Sequence, residues 1–97
     1  MTLHDPPHPG EFITQVYLEP NHLSGRELAA SLGVSPSTLS GILNSTSGIS
    51  PTMTLRLSRA LGRSPESWLA MESTYDLWHA KRRVKLDNIG KLELSAA

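Results

Sequence analysis

The stretch that decides the fold is residues 24–44, SGRELAASLGVSPSTLSGILN. Ala29 is small enough for a second helix to cross close above it, and Gly33 can adopt the positive φ of a sharp turn. Larger apolar side chains are spaced to fill the angle between the two helices. They are Leu28, Leu32, Val34, Leu39 and Ile42. This spacing predicts a helix-turn-helix unit over residues 24–44.

Serine marks most of the helix starts. Ser35, Ser50 and Ser64 each stand before a proline and a stretch with helical apolar spacing. Such a serine can accept a hydrogen bond from a free N–H of the first turn, and proline at the next position loses no helical bond. Ser24 and Glu27 have the spacing of a capping box, and residues 8–11, HPGE, form a fifth start. We therefore predict an all-α fold with helices over about 9–18, 24–32, 35–44, 50–61 and 64–81.

Two of these helices have apolar residues that share one face. In the first helix they are Phe12, Ile13, Val16 and Tyr17, and in the fourth Met53, Leu57, Ala60 and Leu61, with Gly62 as the stop signal. Leu55 lies about 200° from Met53 around the helix axis. It therefore either packs on the last helix or contacts a partner.

The last predicted helix places its large side chains along one seam. They are Trp68, Met71, Tyr75 and Trp78, at spacings of 3, 4 and 3 residues. Aromatic seams occur both in cores and in interfaces. We expect a core role near Trp68 and an interface near Trp78, with Tyr75 between them.

The second helix of the predicted unit presents polar residues outward. Its outward side chains are Ser37 and Asn44, with Gly41 between them and Thr38 and Ser40 at the flanks. In a major groove Asn44 can pair with adenine, and hydroxyls can bond to several bases. Glycine within a helix costs about 1 kcal/mol relative to alanine. Gly41 therefore favours close approach of another molecule over a simple solvated face.

Charge argues against strong binding of DNA by one copy. The chain has 9 Lys+Arg and 9 Asp+Glu, for a formal net charge of +0. Arg26 alone lies near the predicted unit, and the next helix carries Arg56, Arg59 and Arg63. The basic run 81–85 more often complements a helix dipole than contacts phosphates. Two copies on a palindromic site would double the contacts.

Several other classes of function are disfavoured. Cys is absent, which excludes disulfides and thiolate chemistry. Of the four histidines, His4, His8, His22 and His79, the first two have i,i+4 spacing, but the prolines at 6, 7 and 9 prevent a regular helix there. No serine lies in a nucleophile elbow. No apolar run approaches the length of a membrane span. We therefore expect a cytoplasmic, non-enzymatic protein without cofactor or metal, with a flexible tail over 1–7, one domain over 8–81 and a C-terminal arm over 82–97.

Four segments together resemble one family of regulators. They are HPGEFI at 8–13, RELAASLGVSPSTLSGILN at 26–44, ISPTMTLRLSRALGRSPESWLAM at 49–71 and STYDL at 73–77. These segments resemble the HigA (VapI) type antitoxins of the Cro/repressor-like helix-turn-helix class. The resemblance implies a homodimer that neutralises a HigB-like mRNA-cleaving toxin and represses its own operon by binding operator DNA.

The resemblance implies operator contacts at Ser37, Thr38, Ser40 and Asn44, and at Gly41 by its position only. The full set of DNA-contacting residues that we expect is Arg26, Ser35, Ser37, Thr38, Ser40, Gly41, Asn44 and Thr46. Gly41 stands where such proteins usually carry arginine, and Ser45-Thr46 replaces a common glycine and basic residue. For contact with the second copy or the toxin we expect Leu55, Tyr75 and Trp78. The alternatives are a helix-turn-helix module that binds only protein and a repressor without a toxin.

Overall fold

The computed structural model describes residues 5–95, and over these residues the chain forms five helices and no strand. They are α1 over 9–21, α2 (Gly25–Leu32), α3 (Pro36–Leu43), α4 (Pro51–Leu61) and α5 (Pro65–Arg83). The predicted serine caps are confirmed. The side chains of Ser24, Ser35, Ser50 and Ser64 accept hydrogen bonds from backbone N–H groups three residues ahead, at 3.0 to 3.1 Å.

Helix α1 differs from the prediction in length and in its buried face. It continues past residue 18 to Asn21, and its middle, Thr14–Leu18, is π-helical between the α-helical segments Pro9–Ile13 and Glu19–Asn21. A π turn bonds residues five apart, so the residue below Ile13 on the core side is Leu18. Leu18 is accordingly buried, whereas Val16 is 45% exposed. The expectation that Val16 shares the core face was wrong.

One core joins all five helices. Its fully buried members include Ile13 of α1, Ala29 of α2, Leu39 of α3, Leu57 of α4 and Trp68 of α5. The indole N–H of Trp68 donates to the carbonyl of Gly62 at 2.9 Å, which satisfies the one polar group of this side chain. On α4 the structure departs from the prediction at Ala60, which is exposed.

The chain beyond α5 runs without regular secondary structure from residue 84 to residue 95, apart from a turn at 87–88. Every residue of this arm is exposed. Its apolar side chains are 52 to 80% exposed and comprise Val84, Leu86, Ile89, Leu92 and Leu94. Helix α5 ends at Arg83, two residues beyond its predicted end at residue 81.

Candidate DNA-binding face

The predicted helix-turn-helix forms with the expected local chemistry. The capping box of Ser24 and Glu27 starts α2, and Gly33 ends it with φ 73°. Gly33 N–H bonds to Ala30 O and Val34 N–H to Ala29 O, so the turn satisfies the carbonyls at the end of α2. Ala29 has no exposed surface. These contacts fix the angle at which α3 leaves the turn.

Helix α3 carries an exposed polar surface, which we call the α3 face and define by Ser37, Thr38, Ser40 and Asn44. Two hydrogen bonds order it. Asn44 Nδ2 donates to Ser40 Oγ at 3.1 Å, and Ser35 Oγ donates to Thr38 Oγ1 at 2.9 Å. These groups are accessible to water, so replacing their present hydrogen bonds by hydrogen bonds to base edges costs little free energy.

Gly41 lies on the same helix but under the chain's own loop, residues 44–50, which we call the α3–α4 loop. The carbonyl of Gly41 accepts hydrogen bonds from the backbone N–H groups of Thr46 and Ser47 and from the Thr46 hydroxyl. A Cβ at Gly41 would lie 2.9 Å from Ser47 Oγ. The close approach inferred from this glycine is therefore made by residues 46 and 47 of the same chain.

The arginines are distributed away from the α3 face, with one exception. Arg26 is exposed at the first turn of α2 and lies with Ser40 and Asn44 along a shallow groove between α2 and α3. Arg56 donates to the carbonyl of Leu32 at 2.7 Å, and Arg63 stacks on Phe12 with its guanidinium carbon 5.1 Å from the ring centre. Cationic contact with a phosphate near the α3 face thus depends mainly on Arg26.

Sequence reasoning did not assign two buried polar side chains to the site, Glu72 and His8, and Glu72 anchors the α3–α4 loop. The carboxylate of Glu72 on α5 accepts from the backbone N–H of Ile49 at 2.8 Å. His8, at the start of α1, accepts from the N–H of Gly10 at 2.9 Å through Nδ1. One signal was present: Glu72 follows Trp68 by four residues and so shares the buried side of α5.

The pKa values of Glu72 and His8 shift in opposite directions, and burial is the main cause of both shifts. Burial raises the pKa of Glu72, and the neighbouring Asp76 adds to that effect, whereas the bond from Ile49 lowers it. Burial lowers the pKa of His8, against smaller raising effects from the Ser47 backbone, Asp76 and Glu11. Both shifts favour the uncharged forms of the two side chains.

The predicted partner contacts fall into different environments. Tyr75 is half-buried inside the chain, with its ring 4.8 Å from that of His8 and 4.3 Å from that of His79. Trp78 is half-buried under the guanidinium of Arg82, 3.9 Å from its ring centre. Leu55 is 62% exposed in the single chain, which disfavours the alternative that it packs on the last helix.

No helix among residues 5–95 is both long and apolar enough to cross a membrane. Over the same residues, no group of three His, Asp or Glu side chains is arranged to hold a metal ion. His4 and most of the predicted N-terminal tail lie outside the described residues, as do residues 96 and 97.

Known proteins share this architecture. The family model described as Helix-turn-helix matches residues 16–68. Virulence-associated protein I of Dichelobacter nodosus is 42% identical over 82 residues, covering 84% of this chain and 76% of that protein. Antitoxin HigA-1 of Vibrio cholerae is 34% identical over 74 residues, covering 76% and 70%.

Among solved structures, antitoxin GraA is 34% identical with a TM-score of 0.84, covering 95% of this chain and 99% of that one. GraA in complex with its operator is 33% identical with a TM-score of 0.81, covering 100% and 98%. The structure and these likenesses define a DNA-binding helix-turn-helix protein. Within that class the chain belongs to the HigA-type antitoxins, which are regulators and not a family of enzymes.

Proposed function

We propose that this antitoxin neutralises a HigB-like mRNA-cleaving toxin and represses its own operon as a homodimer bound to operator DNA. The observation that carries the proposal is the exposed α3 face, held on a complete helix-turn-helix frame. The likeness of the whole chain to GraA in complex with its operator supports the same role for α3 here. In this role Asn44 and the hydroxyls of α3 contact base edges, and Arg26 contacts a phosphate.

The C-terminal arm supports the dimer. Its five apolar side chains remain exposed in the single chain, and the radius of gyration is 17.0 Å. A compact domain of this length would have a radius of about 13 Å. Because exposed apolar side chains favour association, the arm is suited to bury its leucines against a second copy. Dimerisation also doubles the few phosphate contacts that one neutral chain can make.

The first experiment measures operator binding. Fluorescence anisotropy compares the duplex from upstream of the gene with a scrambled duplex, each at two salt concentrations. Specific binding that weakens with salt supports repression. Binding without discrimination at low salt contradicts it and favours a module that binds only protein.

A second experiment tests the dimer and the toxin separately. Sedimentation of the double variant Leu92→Ser/Leu94→Ser should show a monomer where the wild type is a dimer. Leu23→Ser, at an exposed leucine outside the arm and outside the expected partner contacts, is the matched control and should remain dimeric. The wild type should also block mRNA cleavage by the toxin encoded beside it, and unimpeded cleavage by that toxin would reject the antitoxin pairing.

A further inference from the structure

Glu72 makes an unusual contact with the backbone of the α3–α4 loop. It is 8% exposed, and its Oε1 accepts from the N–H of Ile49, a residue 23 positions away in the chain. The neighbouring Gly48 lies directly against the same carboxylate. A Cβ at Gly48 would stand 2.6 to 2.9 Å from the carboxylate atoms of Glu72. The carboxylate therefore fills the space where residue 48 would otherwise have a side chain.

The same loop is held at its other end. Thr46 and Ser47 bond to the carbonyl of Gly41, in the last turn of α3. The path from Glu72 through Ile49 and Ser47 to Gly41 is thus continuous, and it ends beside Ser40 and Asn44 of the α3 face.

Stability alone gives little reason for a carboxylate at position 72. Burial of a charge costs free energy that its partners often only balance, and an apolar side chain of similar size usually packs as well. A carboxylate does offer one strong directional acceptor for a backbone N–H. Its value therefore lies in fixing the position of the Gly48–Ile49 peptide.

We propose that Glu72 is a positioning residue for operator binding, which holds the Gly48–Ile49 backbone and thereby sets the orientation of the C-terminal end of α3. The inference rests on the proposed operator binding. It means that α5, outside the helix-turn-helix unit itself, contributes to the affinity of α3 for DNA. Glu72 itself does not contact DNA in this role.

The test compares two independent ways to break one contact. Glu72→Ala removes the acceptor, and Gly48→Ala displaces it with a methyl group. Each should weaken binding of the upstream duplex about fivefold to tenfold, which corresponds to the loss of about one hydrogen bond. The double variant should bind no more weakly than either single variant, because both changes abolish the same contact.

Two further variants separate positioning from general destabilisation. Glu72→Gln keeps an oxygen that accepts from Ile49, so its affinity should stay within about twofold of the wild type. Glu66→Ala is the matched control on the same helix, since its carboxylate is exposed in the first turn of α5, and it should leave the affinity unchanged. All affinities are measured below the unfolding transition. Hydrogen exchange at the Ile49 amide should accelerate in Glu72→Ala and stay slow in Glu72→Gln.

The outcomes distinguish the inference from the function on which it rests. If the wild type discriminates between duplexes but folded Glu72→Ala and Gly48→Ala bind as it does, the inference is wrong. Additive effects in the double variant, or unchanged Ile49 exchange in Glu72→Ala, would also overturn it. If Glu72→Ala does not fold, the affinities of Gly48→Ala and Glu72→Gln for the upstream duplex test the inference instead. A wild type that does not discriminate between duplexes would reject the proposed function and this inference together.

Discussion

Gly10 of α1 lies directly against the backbone of Ile42 in the last turn of α3. A Cβ at Gly10 would stand 2.7 Å from the carbonyl carbon of Ile42 and 2.9 Å from the Cα of Leu43. Two backbones can approach this closely only where one of the residues is glycine, because a Cβ would not fit between them. The first helix is therefore seated on the C-terminal end of α3, where the α3 face meets its loop.

Gly10→Ala should be among the most destabilising single changes in this protein. The added methyl group meets backbone atoms that cannot rotate away, so α1 must shift off α3. We expect a loss of about 2–4 kcal/mol in the free energy of unfolding, measured by urea denaturation. Gly90→Ala is the control and should change it by less than about 0.5 kcal/mol. Equal stability of the two variants would show that α1 is not seated as described.

Local chemistry made most of the fold predictable. The caps at Ser24, Ser35, Ser50 and Ser64 depend on residues within four positions of each other, so their sequence signals are complete in themselves. The positive φ at Gly33 is equally local. For the α3 face, helical periodicity alone was enough to identify the outward side of α3.

The features that were missed depend on contacts between distant segments. The bond from Ile49 to Glu72 joins α5 to a loop 23 residues earlier, and no periodicity encodes it. The π turn in α1 has no residue signature, so the burial of Leu18 in place of Val16 was not predictable. Residues 46 and 47 fold back over Gly41, and this contact has no signal in the sequence. The sequence alone therefore favoured DNA as the molecule that approaches Gly41.

Arg56 should matter for stability more than its neighbour Arg59. Its guanidinium donates to the carbonyl of Leu32, one of the free carbonyls at the end of α2. Arg56→Ala should lower the free energy of unfolding by about 1–2 kcal/mol through loss of this charge-assisted bond. Arg59→Ala removes the same charge from the same helix and should cost less than about 0.5 kcal/mol. Thermal unfolding of both variants checks the difference, and equal losses would contradict the role given to Arg56.

His8 should make stability fall as the solution is acidified. Because burial lowers the pKa of His8 in the folded chain, the unfolded chain takes up this proton first, below about pH 6.5. The contribution of His8 to the free energy of unfolding is therefore complete above about pH 6.5 and is lost as the pH falls toward the pKa of the folded chain. The variant His8→Asn keeps a side chain that can cap α1 but does not titrate. Its melting temperature, relative to that of the wild type, should rise as the pH falls from about 7.5 to about 5.5. A constant difference would contradict this prediction.

Glu72→Gln should show the opposite dependence on pH. The pKa of Glu72 is raised in the folded chain, so its ionised form opposes folding, while below the unfolded pKa the carboxyl is neutral in both states. The melting temperature of the variant relative to the wild type should therefore increase as the pH rises from about 4.5 toward neutrality. Parallel melting curves across this range would show that ionised Glu72 carries no penalty.

Asn44→Ala should weaken operator binding and broaden its sequence preference. The side-chain amide of Asn44 is exposed and, among residues 5–95, bonds only to Ser40, so it can turn toward a base edge. Loss of a paired contact with adenine costs about 1–3 kcal/mol, or about fivefold to 150-fold in affinity. The salt dependence should stay the same, since no phosphate contact is removed, whereas Arg26→Ala should reduce it. Fluorescence anisotropy with the upstream duplex and with its single-base variants measures both effects. Asn21→Ala, at an exposed asparagine at the end of α1, is the control. Unchanged affinity and preference in Asn44→Ala would exclude Asn44 from base recognition.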